Sequence, residues 1–199
     1  MITYTNKNIY WNYFLSIEKD LNKLSRFIEF DKKNENVFSI ELARLLISSS
    51  SEFEVVSKEF CKIKNQNSKI ENINDIRREV LIYIPDIYAI EINIPRFGLN
   101  YKPLINWETN NNCDWWTSYN GVKHRRNIEY ENANLKNAIN AIGALYIINL
   151  YYYNSLQEKN TNKTVKMEET TLELKPRPCL IKVNRPDFYM IPFCTSYQD

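Results

Sequence analysis

His124 is the single histidine of the chain, and it lies in a cationic run with Lys123 before it and Arg125 and Arg126 after it. Charged side chains of this kind belong in water, so we expect the imidazole to lie at the surface or in a polar cleft. An imidazole takes up or releases a proton near neutral pH, and neighbouring cations stabilise negative charge on a phosphate. The run therefore predicts proton transfer beside a phosphodiester.

Asn120 joins this set if the segment is helical. When a short helix starts at Thr117 or Ser118, Asn120 lies three residues before Lys123 and four before His124, so the three side chains share one helical face. An amide, an ammonium group and an imidazole can then converge on one phosphate. On this interpretation Asn120 and His124 are the candidate catalytic residues.

The same cations have an alternative interpretation that involves no chemistry. They could form a solvated face, or pair with the acids that follow them, Glu129 and Glu131. Exposed ion pairs of this kind contribute little to stability, and His124 would then only be hydrogen-bonded. The residue types alone leave both interpretations open.

Three aromatic residues, Trp115, Trp116 and Tyr119, come just before the cationic run. Aromatic faces accept any nucleobase, so these rings could stack on the bases of a single-stranded RNA. This interpretation makes Trp116 and Tyr119 RNA-binding residues together with the three cations. The alternative is that the rings anchor the preceding loop onto the body of the protein.

The sequence contains no residue pattern typical of a metal or cofactor site. The cysteines are far apart and form no close pair of the kind that binds zinc; they are Cys61, Cys113, Cys179 and Cys194. A nucleophile would need His124 as its base, and Cys113 is the only cysteine near it in sequence. With 3 glycines in the chain, no glycine-rich phosphate loop is present. We expect no metal and no cofactor.

Apolar residues at three- and four-residue spacing predict the helices that must position this segment. The first two cover residues 8–30 and 37–64, and four serines within the second, residues 48–51, mark a kink, a break or a close approach to another helix. A third runs from a capping box of Ser68 and Glu71 to Pro85. Residues 88–114 lack helical period and predict a long loop, and the stripe of the last helix runs from Leu135 to Tyr152.

Beyond residue 160, apolar and polar residues alternate, and four prolines follow. This pattern predicts a short hairpin or an extended segment that packs on the helices or grips a partner. The predicted organisation is a helical bundle domain over residues 1–158 and an extended C-terminal segment over residues 159–199. The predicted fold class is mainly α, a four-helix bundle with a long loop before its last helix.

Composition limits the partners and the location of the protein. The formal charge of the whole chain is +2, so a nucleic-acid contact must be local. Residues 1–12 lack the basic and apolar succession of a signal peptide, which predicts a cytoplasmic protein. The longest apolar stretch, residues 141–153, is interrupted by Asn149 and is shorter than the roughly 20 residues that span a bilayer, so we expect no membrane contact.

One motif combines these features: Trp116-x-x-Tyr119-Asn120-x-x-Lys123-His124-x-Arg126, followed by the start of the last helix. In this combination the chain resembles the HEPN superfamily over about residues 35–155. These are small helical bundles of bacteria and archaea that include metal-independent ribonucleases of toxin and phage-defence systems. Their usual signature is an arginine, then four to six residues, then a histidine. Thr117, Ser118 and Tyr119 occupy those arginine positions here, and Asn120 with the nearby cations takes the place of the arginine.

The resemblance implies a function, a mechanism and partners. The fold is a four-helix bundle of HEPN type, and the activity is metal-independent endoribonucleolysis by a toxin or phage-defence effector. His124 acts as general acid or base on the ribose 2′-hydroxyl and the leaving oxygen, with Asn120 orienting it. Lys123 and Arg126 stabilise the phosphate, and the product carries a 2′,3′-cyclic phosphate. The partners are RNA, a second copy of the chain in a homodimer, and an antitoxin or a larger assembly.

A second function class fits the same fold, because a fold does not determine an activity. The chain would then be a non-catalytic helical subunit that binds RNA or protein within a larger defence assembly. Substitution of Arg125 and Arg126 would weaken binding, and the wild-type protein would not cleave RNA. Cleavage in the presence of a chelator therefore separates the two classes.

Overall fold

Seven α-helices and one small antiparallel sheet form the part of the chain that the structure, a computed structural model, describes, namely residues 8–185 and 188. The helices are α1 (Ile9–Leu24), α2 (Ile40–Lys64), α3 (Ile73–Tyr83), α4 (Asp114–His124), α5 (Arg126–Glu129), α6 (Leu135–Thr161) and α7 (Met167–Glu173). The prediction of a mainly α fold is confirmed. None of the described helices is long and apolar enough to cross a membrane.

Helix α6 is the centre of the fold. Every residue from 141 to 150 is buried, so this part of the helix is enclosed on all sides. Its largest contact is with α2, and α1, α4 and α7 pack around it. The Asn134 side chain caps its start by accepting a hydrogen bond from the backbone N–H of Asn137, at 3.0 Å. The predicted last helix is confirmed and continues to Thr161.

Helices α1 and α2 follow the predicted stripes with shorter ends. Helix α1 stops at Leu24, six residues before the predicted end, and α2 begins at Ile40, where Ser39 caps it by accepting from the Leu42 N–H at 3.1 Å. The serines of residues 48–51 do not break α2. Ser49 and Ser50 are fully buried, and Ser49 donates to the Leu45 carbonyl at 2.7 Å, so its hydroxyl is satisfied within the helix.

The start of α3 differs from the prediction. The capping box is formed by Asn72 and Asp75, whereas the predicted Ser68 and Glu71 lie in the preceding loop. The Asn72 side chain accepts from the Asp75 N–H, and the Asp75 carboxylate accepts from the Asn72 N–H, both at 3.3 Å. This box directly precedes the apolar stripe that begins at Ile73, which explains why the helix starts there. Helix α3 ends at Tyr83, before Pro85 as predicted.

The predicted loop over residues 88–114 contains a hairpin. Strands β1 (Ile92–Ile94) and β2 (Leu99–Tyr101) pair antiparallel, and Gly98 between them adopts a left-handed conformation with φ +63°. Strand β3 (Lys182–Val183) pairs with the other edge of β1, which gives the order β2-β1-β3. The loop prediction was wrong because strands of two or three residues show no measurable periodicity.

The C-terminal segment packs on the helices of its own chain. The alternation near residues 165–174 does not form the predicted hairpin, because residues 167–173 form α7. The indole N–H of Trp11 donates to the Pro176 carbonyl at 3.1 Å, and Phe188 is buried with its ring 5.8 Å from that of Tyr151. Within the predicted extended segment, residues 186, 187 and 189–199 lie outside the described residues.

Glu18 holds this segment from inside the bundle. The side chain is 2% exposed, and its carboxylate accepts from the backbone N–H groups of Leu180 and Ile181, at 2.5 and 3.2 Å, and from the thiol of Cys179 at 3.3 Å. An α1 residue thus satisfies backbone donors that would otherwise be buried without partners.

We expect Glu18→Ala to lower the free energy of unfolding by about 2–4 kcal/mol, because two buried N–H groups lose their acceptor. Both N–H groups donate to the same oxygen of Glu18, so Glu18→Gln keeps an acceptor for them and should lose less than Glu18→Ala. Urea unfolding followed by circular dichroism measures both values, with Glu29→Ala, at an exposed carboxylate, as the control. Equal stability of Glu18→Ala and wild type would show that the segment is held by other contacts.

Gly143 lets α6 approach the hairpin closely. A Cβ at this position would overlap Cδ1 of Ile92 and lie 3.0 Å from Cγ of Pro103. We expect Gly143→Ala to lower the free energy of unfolding by about 1–2 kcal/mol, since overpacking outweighs the better helix propensity of alanine. Ile92→Val removes the overlapping methyl group. In the double variant Gly143→Ala with Ile92→Val, the loss in free energy of unfolding should therefore be smaller than the sum of the two single losses. Strict additivity would contradict this account.

Candidate functional site

Helix α4 carries the predicted site. It begins at Asp114, three residues before the earliest predicted start, and ends at His124. Asn120 and His124 therefore lie one turn apart on a helix, as predicted. The opposite side of α4 is buried against the bundle, which leaves Lys123 and His124 exposed at the end of the helix.

The aromatic residues of α4 anchor the helix and the preceding loop to the core. Trp116 and Tyr119 are 6% and 3% exposed, and their rings lie 5.2 Å apart in a cluster that includes Phe53 of α2. Trp115 is also buried, and its indole N–H donates to the Pro103 carbonyl at 2.7 Å. Stacking on a base needs an exposed ring face, which neither Trp116 nor Tyr119 has. The interpretation of these two residues as RNA-stacking groups is therefore replaced by the anchoring one.

His124 is exposed, and no hydrogen bond within the described residues holds its imidazole. Asn120 does not orient it, because the Asn120 amide donates to the Trp116 carbonyl one turn back, at 3.1 Å. The imidazole therefore faces solvent, and no side chain among the described residues fixes its orientation.

The three cations around His124 differ in the hydrogen bonds and ion pairs that they form. The Lys123 ammonium donates to the hydroxyl of Tyr119 at 3.1 Å, a bond that raises the pKa of Lys123 above its ordinary value. Arg125 pairs with Glu129 at 2.8 Å, which is the pairing that the alternative interpretation predicted. Arg126 is exposed and makes no ion pair within the described residues. We call residues 123–126 the basic turn.

Cys113 and His124 lie at opposite ends of α4. Cys113 precedes α4 and is buried, and burial raises the pKa of its thiol to about 12. His124 lies at the far end of the helix, roughly 16 Å away along its axis, so the two side chains cannot form a catalytic pair. Among residues 8–185 and 188, no group of three or more His, Cys, Asp and Glu side chains is placed to hold a metal ion.

A groove beside the basic turn was not predicted. It lies between the first turns of α2 and helix α5, has a volume of about 780 Å³, and includes Arg126 in its lining. Ile40 in its wall is 81% exposed. Phe38, just before α2, is half exposed, and its ring lies 5.4 Å from that of Tyr130, which lines the groove. We call this feature the α2–α5 groove.

The groove is built from residues 40–48 and 126–130, which no local pattern connects. Its one signal in the sequence is Ile40, an apolar residue outside the stripe of α2. Large apolar side chains exposed together mark a surface that binds another molecule. Comparison with known proteins adds no assignment, since no family model, no curated protein and no solved structure matches this chain.

Proposed function

We propose that this protein is a metal-independent endoribonuclease of HEPN type that acts as a homodimer and leaves 2′,3′-cyclic phosphate ends. The observation that carries the proposal is the position of the single histidine. His124 is exposed within the basic turn, and Arg126 of the same turn lines the α2–α5 groove. A proton-transfer group, cations for a phosphate and a docking surface are therefore adjacent.

The chemistry requires two proton transfers. The ribose 2′-oxygen attacks the neighbouring phosphorus and the bond from phosphorus to the 5′-oxygen breaks. A base takes the proton of the 2′-hydroxyl, and an acid gives a proton to the leaving 5′-oxygen. Lys123 and Arg126 stabilise the charge that develops on the phosphate.

A second copy of the chain supplies the second imidazole. Each chain has one histidine, so two imidazoles that act together, one as base and one as acid, come from two protomers. The exposed side chain of Ile40 in the α2–α5 groove, with the half-exposed Phe38 against Tyr130, gives this face the character of an interface between copies. A two-fold axis at this face would place the same patch on both sides and bring the two basic turns together.

Incubation of the purified protein with a single-stranded RNA of mixed sequence in EDTA tests the proposal. We expect fragments with 2′,3′-cyclic phosphate ends, and no cleavage of the same sequence made entirely of 2′-deoxynucleotides. Light scattering after gel filtration should give twice the chain mass of 23.8 kDa. Intact RNA at high protein concentration, or cleavage of the deoxy control, would refute the proposal.

A second candidate function is a non-catalytic RNA- or protein-binding subunit of the same fold. The observation that favours it is that Asn120 engages the Trp116 carbonyl and leaves His124 unoriented. Catalysis gains from groups that are positioned in advance, and binding to a phosphate backbone does not need that. Fluorescence anisotropy then shows RNA binding that weakens in Arg125→Ala with Arg126→Ala, with no cleavage by wild type.

The biological setting follows from the resemblance. We infer a toxin or phage-defence effector of the cytoplasm, restrained by an antitoxin or by a larger assembly. The basic turn and the α2–α5 groove are the surfaces that such a partner would cover, because covering them blocks both the phosphate contacts and the second copy.

A further inference from the structure

A cavity of about 320 Å³ lies on the side of the bundle where the C-terminal segment packs. Helices α1 and α6 form its floor, and α7 and residues 177–182 form its walls. The residues that line it are far from the basic turn in sequence and belong to other elements. The proposed ribonuclease activity gives this cavity no role.

The interior of the cavity is apolar. Its lining includes Trp11, Leu150, Leu174 and Ile181, all buried side chains. The indole N–H of Trp11 is engaged by the Pro176 carbonyl. Such a wall selects a ligand whose buried part is hydrocarbon or aromatic.

Two cations flank the cavity. Arg177 and Lys182 both line it, both are exposed, and neither makes an ion pair within the described residues. The buried carboxylate of Glu18 forms no ion pair with either cation and instead accepts from backbone N–H groups. An apolar cavity with two cations that lack an ion-pair partner among the described residues complements a molecule that has an apolar body and an anionic head.

We propose that this cavity binds an amphipathic anion, with its apolar body against Trp11 and Leu150 and its carboxylate between Arg177 and Lys182. The volume corresponds to about ten water molecules at ~30 Å³ each, which fits an acyl chain of about ten carbon atoms. The ligand class is therefore a medium-chain carboxylate. Its binding would tie the C-terminal segment more firmly to α1 and α6.

Isothermal titration of the full-length protein with decanoate, below its micelle concentration, tests the proposal. We expect saturable binding to one site, at least tenfold weaker binding of the neutral analogue decanol, and no binding of acetate, which lacks the apolar body. The double variant Arg177→Ala with Lys182→Ala should bind decanoate at least tenfold more weakly. Lys175→Ala, an exposed cation of the same segment that does not line the cavity, should bind as wild type does.

The outcomes are separable from those of the ribonuclease proposal, because titration reads binding without RNA. Bound ligand should also raise the melting temperature of wild type and of Lys175→Ala, and raise it less in the double variant. Equal circular dichroism spectra show that the variants are folded, as expected for exposed side chains. No binding at 1 mM decanoate, or equal affinity in wild type and the double variant, would overturn the proposal.

Discussion

Replacing His124 with alanine is expected to lower the rate of RNA cleavage in EDTA by at least about 100-fold, the usual contribution of a positioned proton-transfer group. In the proposed homodimer the substitution removes both base and acid, so the loss should lie toward the upper end of the 10²–10⁴ range. The side chain is exposed and makes no hydrogen bond within the described residues. The fold should therefore be unchanged.

His124→Gln is the stringent companion variant. Glutamine keeps hydrogen-bonding groups near the same position but transfers no proton at neutral pH. Both variants should bind an uncleavable deoxy oligonucleotide with affinities within about threefold of wild type, because the phosphate contacts of the cations remain. Single-turnover rates with equal circular dichroism spectra make the comparison. Retention of one tenth of the wild-type rate by His124→Gln would assign the proton transfers to other groups.

The parts of the fold that could be predicted are those with long apolar periodicity. Helix α6 is buried at every position from 141 to 150, and α2 repeats its stripe over 25 residues. Shorter elements were missed or misassigned, since the hairpin depends on Gly98 and on pairing with β3 from the far end of the chain. Tertiary contacts decide such elements, and local propensity does not contain them.

The candidate site also has features that the sequence predicted and features that it did not. Exposure of His124 followed from its charged neighbours, and the helical spacing of Asn120 and His124 followed from the residue count. The anchoring role of Trp116 depends on Phe53, sixty-three positions earlier, and the α2–α5 groove joins α2 to residues after α4. Both features come from packing between segments that are distant in sequence. Residues 115–126 alone therefore could not predict them.

Placing a carboxylate on the α2–α5 groove is expected to have the second large effect. Ile40 lines the groove and is 81% exposed in the single chain. Ile40→Glu should convert the proposed dimer to a monomer, since an apolar side chain buried at the interface would be replaced by a charge without a partner. Loss of about 2.7 kcal/mol of association energy raises the dissociation constant about 100-fold. At a protein concentration near the wild-type dissociation constant, cleavage should fall in proportion to the lost dimer.

Ile82→Glu is the matched control for Ile40→Glu. Ile82 lies on α3, is 64% exposed and is remote in sequence from the groove, so this variant adds the same charge at an unrelated apolar position. Sedimentation velocity and cleavage rate, measured on the same samples, should change for Ile40→Glu alone. A dimeric and active Ile40→Glu would place the interface elsewhere. A monomeric Ile40→Glu that cleaves at the wild-type rate would mean that one imidazole performs both proton transfers in turn, and the second copy would then have no chemical role.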